Sequence, residues 1–211
     1  MGLRLEASGI HKAYNGNAVL GGCSFSFESG VYALMGTNGC GKSTFLRICA
    51  LIEDPDMGEV NYYSGALLLE KDIKLRRRIT LLLADVGVFN LTVLKNASYG
   101  LRIRGMDKNE LRQRAESALE FAGLIHKKDH SALTLSSGEA RRLGIARAVA
   151  VEPEVLFLDE PTAYIDRRNS ELIEEMISNM KKETVIIATH DEAQARRLAG
   201  RVLSIEGGRL A

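Results

Sequence analysis

Apolar positions along this chain change rhythm several times, and each rhythm predicts a different element. In "CSFSF" the apolar Cys23, Phe25 and Phe27 alternate with serines. A period of two marks a half-buried strand, so the opening reads as short strands. "VYALM" (Val31 to Met35) is an unbroken apolar run, which suits a strand buried on both faces. "KSTFLRICALI" then takes a helical period, and Pro55 and Gly58 close that unit before the strand-like "EVNYY". "ITLLLA" (Ile79 to Ala84), "EVLFLDEP" and "ETVIIATHD" repeat the buried-strand pattern.

Between the second and third of these apolar strands, from about Leu91 to Val151, the texture is helical. Asp107 and Glu110 have capping-box spacing, and Leu111, Ala115, Ala118 and Ala122 form a stripe that stops at Gly123. A later helix puts Ile173, Met176, Ile177 and Met180 on one face, and a short helix and "RVLSIEGGRLA" finish the chain. Pro55, Pro153 and Pro161 all fall at element boundaries. Buried strands alternating with helices predict an α/β domain with a mostly parallel sheet covered on both faces. Residues 1–211 read as a single domain, with antiparallel strands at the N-terminus and a helical subdomain over about 88–150 inserted between strands.

Composition narrows the partners. With 45% hydrophobic and 26% charged residues the chain is an ordinary globular one. A net charge of +1 argues against a dedicated nucleic-acid binder, and no nucleic-acid partner is expected. Cys23, Cys40 and Cys49 show no CxxC spacing, which suits a reducing compartment. The N-terminus has no secretory core, and Glu6 with no basic patch argues against myristoylation at Gly2. No apolar run approaches the ~18–20 residues that span a bilayer. A soluble chain is expected, with any membrane role exerted through a partner. The basic triplet Arg76, Arg77 and Arg78 reads as solvated surface, as do His126 and His130 in "HKKDH".

The candidate chemistry begins at "GTNGCGKST", which follows "VYALM" directly. Gly36, Thr37, Asn38, Gly39, Cys40, Gly41, Lys42, Ser43 and Thr44 fit G-x-x-x-x-G-K-[ST] and its flank. Glycines let successive backbone N–H groups turn inward onto phosphate oxygens, and the helix behind adds the positive end of its dipole. Lys42 would reach the β- and γ-phosphates, and the Ser43 hydroxyl would ligate Mg²⁺. A strand before the loop and a helix after it are what a nucleoside-triphosphate loop requires. "VLFLDE" then supplies Asp159, to hold Mg²⁺ through water at a strand end, and Glu160 for the attacking water. Cys40, at a helix N-terminus inside the loop, is an expected target for alkylating agents.

At "TLSSGEARRLGIARA", Ser136 and Glu139 form a second capping box, which leaves Ser137 and Gly138 at an exposed helix start. One phosphate loop does not need a second anion-directed helix terminus in the same site. The segment resembles the LSGGQ signature of the ATP-binding subunits of ABC transporters, and the resemblance covers essentially the whole chain. It implies a P-loop NTPase core with the signature on the inserted helical subdomain, ATP and Mg²⁺ as cofactors, and a head-to-tail homodimer closing on two ATP molecules. It further implies that Tyr14 stacks on adenine, that "EPTAYID" is the D-loop ending in Asp166, and that His190 is the switch histidine at the γ-phosphate. Glu160, His190 and Lys42 carry catalysis in this reading, with the signature acting in trans.

Three positions depart from the family pattern. Ser137 and Glu139 replace the signature's first glycine and its glutamine, and both keep the capping logic. The Q-loop glutamine is replaced by Ala84, which has no ligating atom; weaker Mg²⁺ binding or a different coupling contact is the consequence expected. The function expected is an ATPase that drives a membrane-spanning permease, as an importer, from the cytoplasmic face of the membrane. The groove beside Ala84 and "VGVFNLTV" would dock the permease. "RRRITLLLADVGVFNLTVLKNASYGLRIRG" and "EPTAYID" look most like tungstate or molybdate importers, and after "IEGGRLA" no regulatory domain is expected. The alternative is a soluble ABC-type ATPase of repair or translation, which would bring fused ATPase units or coiled-coil insertions; a P-loop kinase or GTPase would leave the signature unused.

Overall fold

The computed structural model describes residues 2–180 and 183–211. The chain opens with β1 (Leu3–Tyr14), β2 (Asn17–Phe27), β3 (Gly30–Met35) and helix α1 (Lys42–Cys49). Then come β4 (Met57–Ser64), β5 (Leu67–Leu68), α2 (Ile73–Arg76) and β6 (Ile79–Leu82). Helices α3 (Val93–Ala97), α4 (Tyr99–Ile103), α5 (Lys108–Phe121) and α6 (Ser137–Ala150) follow. The rest is β7 (Val155–Asp159), α7 (Arg167–Ser178), β8 (Thr184–Ala188), α8 (Glu192–Leu198), β9 (Arg201–Glu206) and β10 (Arg209–Leu210). Two compact units divide these: Met1–Leu83 with Glu154–Glu160 and Met180–Ala211, and Ala84–Pro153 with Pro161–Asn179.

The first unit holds two sheets. The antiparallel one runs β2-β1-β4-β5, and the other runs β10-β9-β3-β8-β7-β6. In the second, β9, β3, β8, β7 and β6 pair in parallel, and only β10 is antiparallel. Every residue of β7 and β8 is buried, as a strand covered on both faces requires. The antiparallel strands are longer than the alternation alone implies, 12 and 11 residues for β1 and β2. Register shifts between Ala7 and Ile10 and again near Lys12 interrupt their period, which is why they look short in sequence. β6 stops at Leu82, so Ala84 lies beyond the strand.

An aromatic cluster ties the sheets to α1. Phe27 of β2 lies 5.1 Å from the Tyr32 ring of β3 and 6.4 Å from Phe45 of α1. Phe27 and Phe45 are fully buried. Removing either ring would cost about 3–5 kcal/mol, and would loosen the base of the loop that precedes α1. Arg78, read as solvated, is instead paired with Glu154 at 2.5 Å, and the Arg76 guanidinium donates to the Leu51 carbonyl.

The second unit is helical. α6 is buried along most of its length, from Leu143 through Ala146 and again at Ala148 and Ala150, and packs against α3, α4, α5 and α7. A helix covered on nearly all sides is the centre of its unit. Asp107 caps α5, but its carboxylate accepts from Asn109 N–H, and the Glu110 carboxylate pairs with Arg114 instead of closing a capping box. The α5 stripe buries Ala115 and Ala118, adds Leu119, and leaves Leu111 half-buried. His126 sits in a single 3₁₀ turn (Ile125–Lys127), and it and His130 are exposed.

Candidate functional site

Strand register assembles the site in the first unit. β3, β8 and β7 are neighbours and parallel, with Leu34 opposite Ala188 and Ala188 opposite Asp159. Their carboxyl ends therefore open side by side: β3 into Gly36–Thr44, β8 into Thr189 and His190, and β7 into Asp159 and Glu160. Ligand sites of open parallel sheets form at this edge.

The loop turns into α1 at Gly41, which has φ 108° and no side chain to cap the helix. A Cβ there would meet Leu20 Cδ2 at 2.8 Å and the Val19 carbonyl oxygen at 3.0 Å, so only glycine fits. The uncapped first turn directs its N–H groups and the helix dipole into the loop. Lys42 is buried, and its ammonium donates to the carbonyls of Gly36 at 2.7 Å and Thr37 at 3.3 Å. A cavity of about 290 Å³ runs along this loop, lined among others by Tyr14, Gly39, Lys42, Ser43, Thr44 and Glu160.

Two carboxylates face that loop. Asp159 is buried, and its Oδ1 has no hydrogen-bond partner. Burial pushes its carboxyl up from the usual range, against the Ser43 hydroxyl bonded to it. A buried carboxylate oxygen left open beside a hydroxyl is a donor set that fits Mg²⁺, a hard cation taking oxygen ligands. Glu160 has φ 47°, and this left-handed turn takes its side chain out of the strand's alternation. Its Oε1 lies 3.7 Å from Lys42 Nζ and its Oε2 lies 2.9 Å from His190 Nδ1. A carboxylate so held can accept a proton from a water in the cavity.

Tyr14 is more than an exposed ring. Its hydroxyl donates to the Glu53 carboxylate and accepts from Arg47 Nη2, which also donates to Thr44 Oγ1 at 3.2 Å. Burial opposes the ionised form of Glu53, but the bonds from Tyr14 and Arg47 outweigh it and hold the carboxyl below the usual range. Tyr14 is thus fixed relative to the last residue of the loop. Nothing in the spacing of Arg47 and Glu53 announces this link, because it spans 39 residues of sequence.

In the second unit, Ser136 caps α6 with the reciprocal bonds of a capping box to Glu139. Lys127 adds an ion pair to Glu139 at 2.5 Å and lowers its carboxyl below the usual range. Ser137 is exposed at the first turn and Gly138 is buried. Asp166 caps α7 through Asn169 N–H. Ala84 is exposed, and its carbonyl accepts from the buried Arg141 of α6.

Residues 20–163 match the family model described as ABC transporter. The chain belongs to the ABC transporter family. It is 37% identical to the tungstate uptake system ATP-binding protein TupC of Peptoclostridium acidaminophilum, over 99% of this chain and 97% of that protein. It is 35% identical to the phosphate import ATP-binding protein PstB 2 of Natronomonas pharaonis, covering 98% of this chain and 78% of that one. Among solved structures, a dimeric bacterial ABC transporter cassette superposes with a TM-score of 0.86 at 27% identity, over 98% of this chain and 96% of that one. A second, a dimeric cassette in a post-hydrolysis state with ADP and Pi, gives 0.85 at 27% identity with the same coverage. The expected α/β fold, the ATPase activity and ATP as cofactor accordingly stand, as does the expected function as an ABC transporter's ATP-binding subunit. No described helix is long and apolar enough to cross a membrane.

Proposed function

We propose that this ABC ATPase works as a head-to-tail homodimer in which the α6 terminus of each copy completes the ATP site of the other, and that closure drives a membrane permease. The supporting observation is the division of anion-directed devices. One unit carries the uncapped loop with Lys42, the other an independently capped helix start at Ser136, Ser137 and Gly138. A single triphosphate leaves the second device without work inside one copy.

In this reading Tyr14 stacks on adenine, and the N–H groups of residues 36–44 take the phosphate oxygens. Ser43 and Asp159 hold Mg²⁺, which when bound neutralises phosphate charge. Binding of ATP draws Lys42 off the Gly36 and Thr37 carbonyls onto the β- and γ-phosphates. Glu160 accepts the proton of the attacking water, and His190 holds that carboxylate and contacts the γ-phosphate. Asp166 borders the partner's site. The permease holds the subunit at the cytoplasmic face of the membrane, docking beside Ala84 and residues 86–93.

For the cargo we propose an inorganic oxyanion taken up by an importer. Support comes from two relatives named for tungstate and phosphate uptake, the first aligned over nearly its whole length. Glu160→Gln tests the motor: it removes the proton acceptor and keeps the shape. Turnover should fall about 10²–10⁴-fold, while an ATP-dependent dimer accumulates in light scattering. A monomer at all ATP concentrations, in wild type and variant, would overturn the reading.

A further inference from the structure

Asn169, in the first turn of α7, meets three features of the second unit at once. Its side-chain Nδ2 donates to Asp166 Oδ2 at 2.6 Å, and its backbone N–H donates to Asp166 Oδ1 at 3.1 Å. Its Oδ1 accepts from Arg142 Nε of α6 at 3.1 Å. Its amide also lies against Gly138: a Cβ on that glycine would meet Asn169 Cγ at 2.4 Å and Nδ2 at 2.6 Å. Arg142 is itself buried and anchored, donating from Nη1 to the Ala122 carbonyl at 2.6 Å.

Helix capping explains only part of this. The backbone bond to Asp166 Oδ1 completes the cap. The side-chain bond takes the second carboxylate oxygen, which a cap does not need. Between a guanidinium and a carboxylate the amide has one workable orientation, oxygen to the donor and NH₂ to the acceptor. An aspartate here would set two carboxylates against each other, and an alanine would leave Arg142 and Asp166 without their link.

We propose that Asn169 is a positioning residue: it locks Asp166 to the first turn of α6, so that the two elements presented to the partner's ATP move as one piece. This rests on the head-to-tail reading above. It also assigns a reason for glycine at 138, because the Asn169 amide occupies the space a side chain would take.

Asn169→Asp is the sharp test, since it keeps the shape and replaces the donor. At pH 8 its kcat should fall about tenfold, within the range for residues that couple two elements, and its ATP-dependent dimer should weaken. Lowering the pH should narrow the gap with wild type, because a proton shared between the facing carboxylates restores the donor. Arg142, Arg168 and Glu139 also face this pair, and the two guanidiniums oppose the protonation. Asn169→Ala should show the same loss with no recovery at low pH. Binding of a fluorescent ATP analogue to single copies should stay within about twofold in both, since the phosphate loop lies in the other unit. A wild-type kcat and pH profile in Asn169→Asp, or equal losses in nucleotide affinity and kcat, would overturn the inference. If the wild type forms no ATP-dependent dimer, it is the head-to-tail reading that fails.

Discussion

The Glu160 carboxylate is held at both ends, 2.9 Å from His190 Nδ1 through one oxygen and 3.7 Å from Lys42 Nζ through the other. Lys42 also serves the loop carbonyls, and in the proposed mechanism phosphate in the loop draws the cation toward the nucleotide. His190 then becomes the main partner of Glu160. His190→Ala should therefore leave ATP affinity within about threefold and lower kcat about 10²-fold or more. A loss of affinity with kcat unchanged would place His190 in binding alone.

Glu139 gives a pH dependence with a definite sign. Lys127 lowers its carboxyl in the folded chain, so its stabilisation is present above the unfolded pKa and fades as pH falls through the folded one. Glu139→Gln keeps the capping partner and loses the ion pair. At pH 7 it should lower Tm by about 1–2 °C, as a partly exposed pair worth ~0.5 kcal/mol implies. The difference should shrink as pH falls below the ordinary glutamate range and vanish only once it has passed the lowered folded-state pKa. A difference that persists in acid would contradict the assignment to charge.

Ala84, which the resemblance sets in the place of the Q-loop glutamine, has its carbonyl bound by Arg141. Ala84→Gln is expected to tighten Mg²⁺-dependent ATP binding or raise turnover. Titration of Mg²⁺ at fixed ATP checks this, and no change in either quantity would remove Ala84 as the cause of any deficit.

Cys23 and Cys49 are buried, and Cys40 is half-buried within the phosphate loop. Its thiol packs so close to Gly36 that a Cβ there would meet the Sγ at 2.5 Å. Cys40 packs against the hydrophobic core at the base of the loop, so an adduct there would displace the backbone that borders the nucleotide cavity. N-ethylmaleimide should abolish ATP binding, ATP should protect, and Cys40→Ala should resist. Equal sensitivity in Cys40→Ala would refute the idea.

Much of the site was legible because it is local. Residues 36–44, the pair at 159–160 and the Ser136–Glu139 box each sit within a few residues, where periodicity and spacing carry the information. Buried parallel strands were equally plain, since both faces of β7 and β8 are covered. What escaped is long-range polar pairing. Tyr14 with Glu53, Arg78 with Glu154 and Arg142 with Asn169 join residues 27 to 76 apart, and no pattern of polar residues marks such partners. Asp107 and Glu110 show the converse: the spacing was right, but Arg114 offered Glu110 a stronger, charged partner than the cap N–H.

In the proposed dimer each ATP site is built from two copies, so two variants that are inactive for different reasons should rescue each other when mixed. Lys42→Ala disables the phosphate loop and keeps the α6 terminus. Ser137→Asp keeps the loop, and its carboxylate favours the helix start but repels an incoming phosphate. Each alone should hydrolyse little ATP. Mixed, the Ser137→Asp copy's loop meets the Lys42→Ala copy's intact α6 terminus, so ATPase activity should return at up to about half the wild-type rate per mixed dimer. No activity above the sum of the separate variants, at concentrations where wild type dimerises with ATP, would contradict the account.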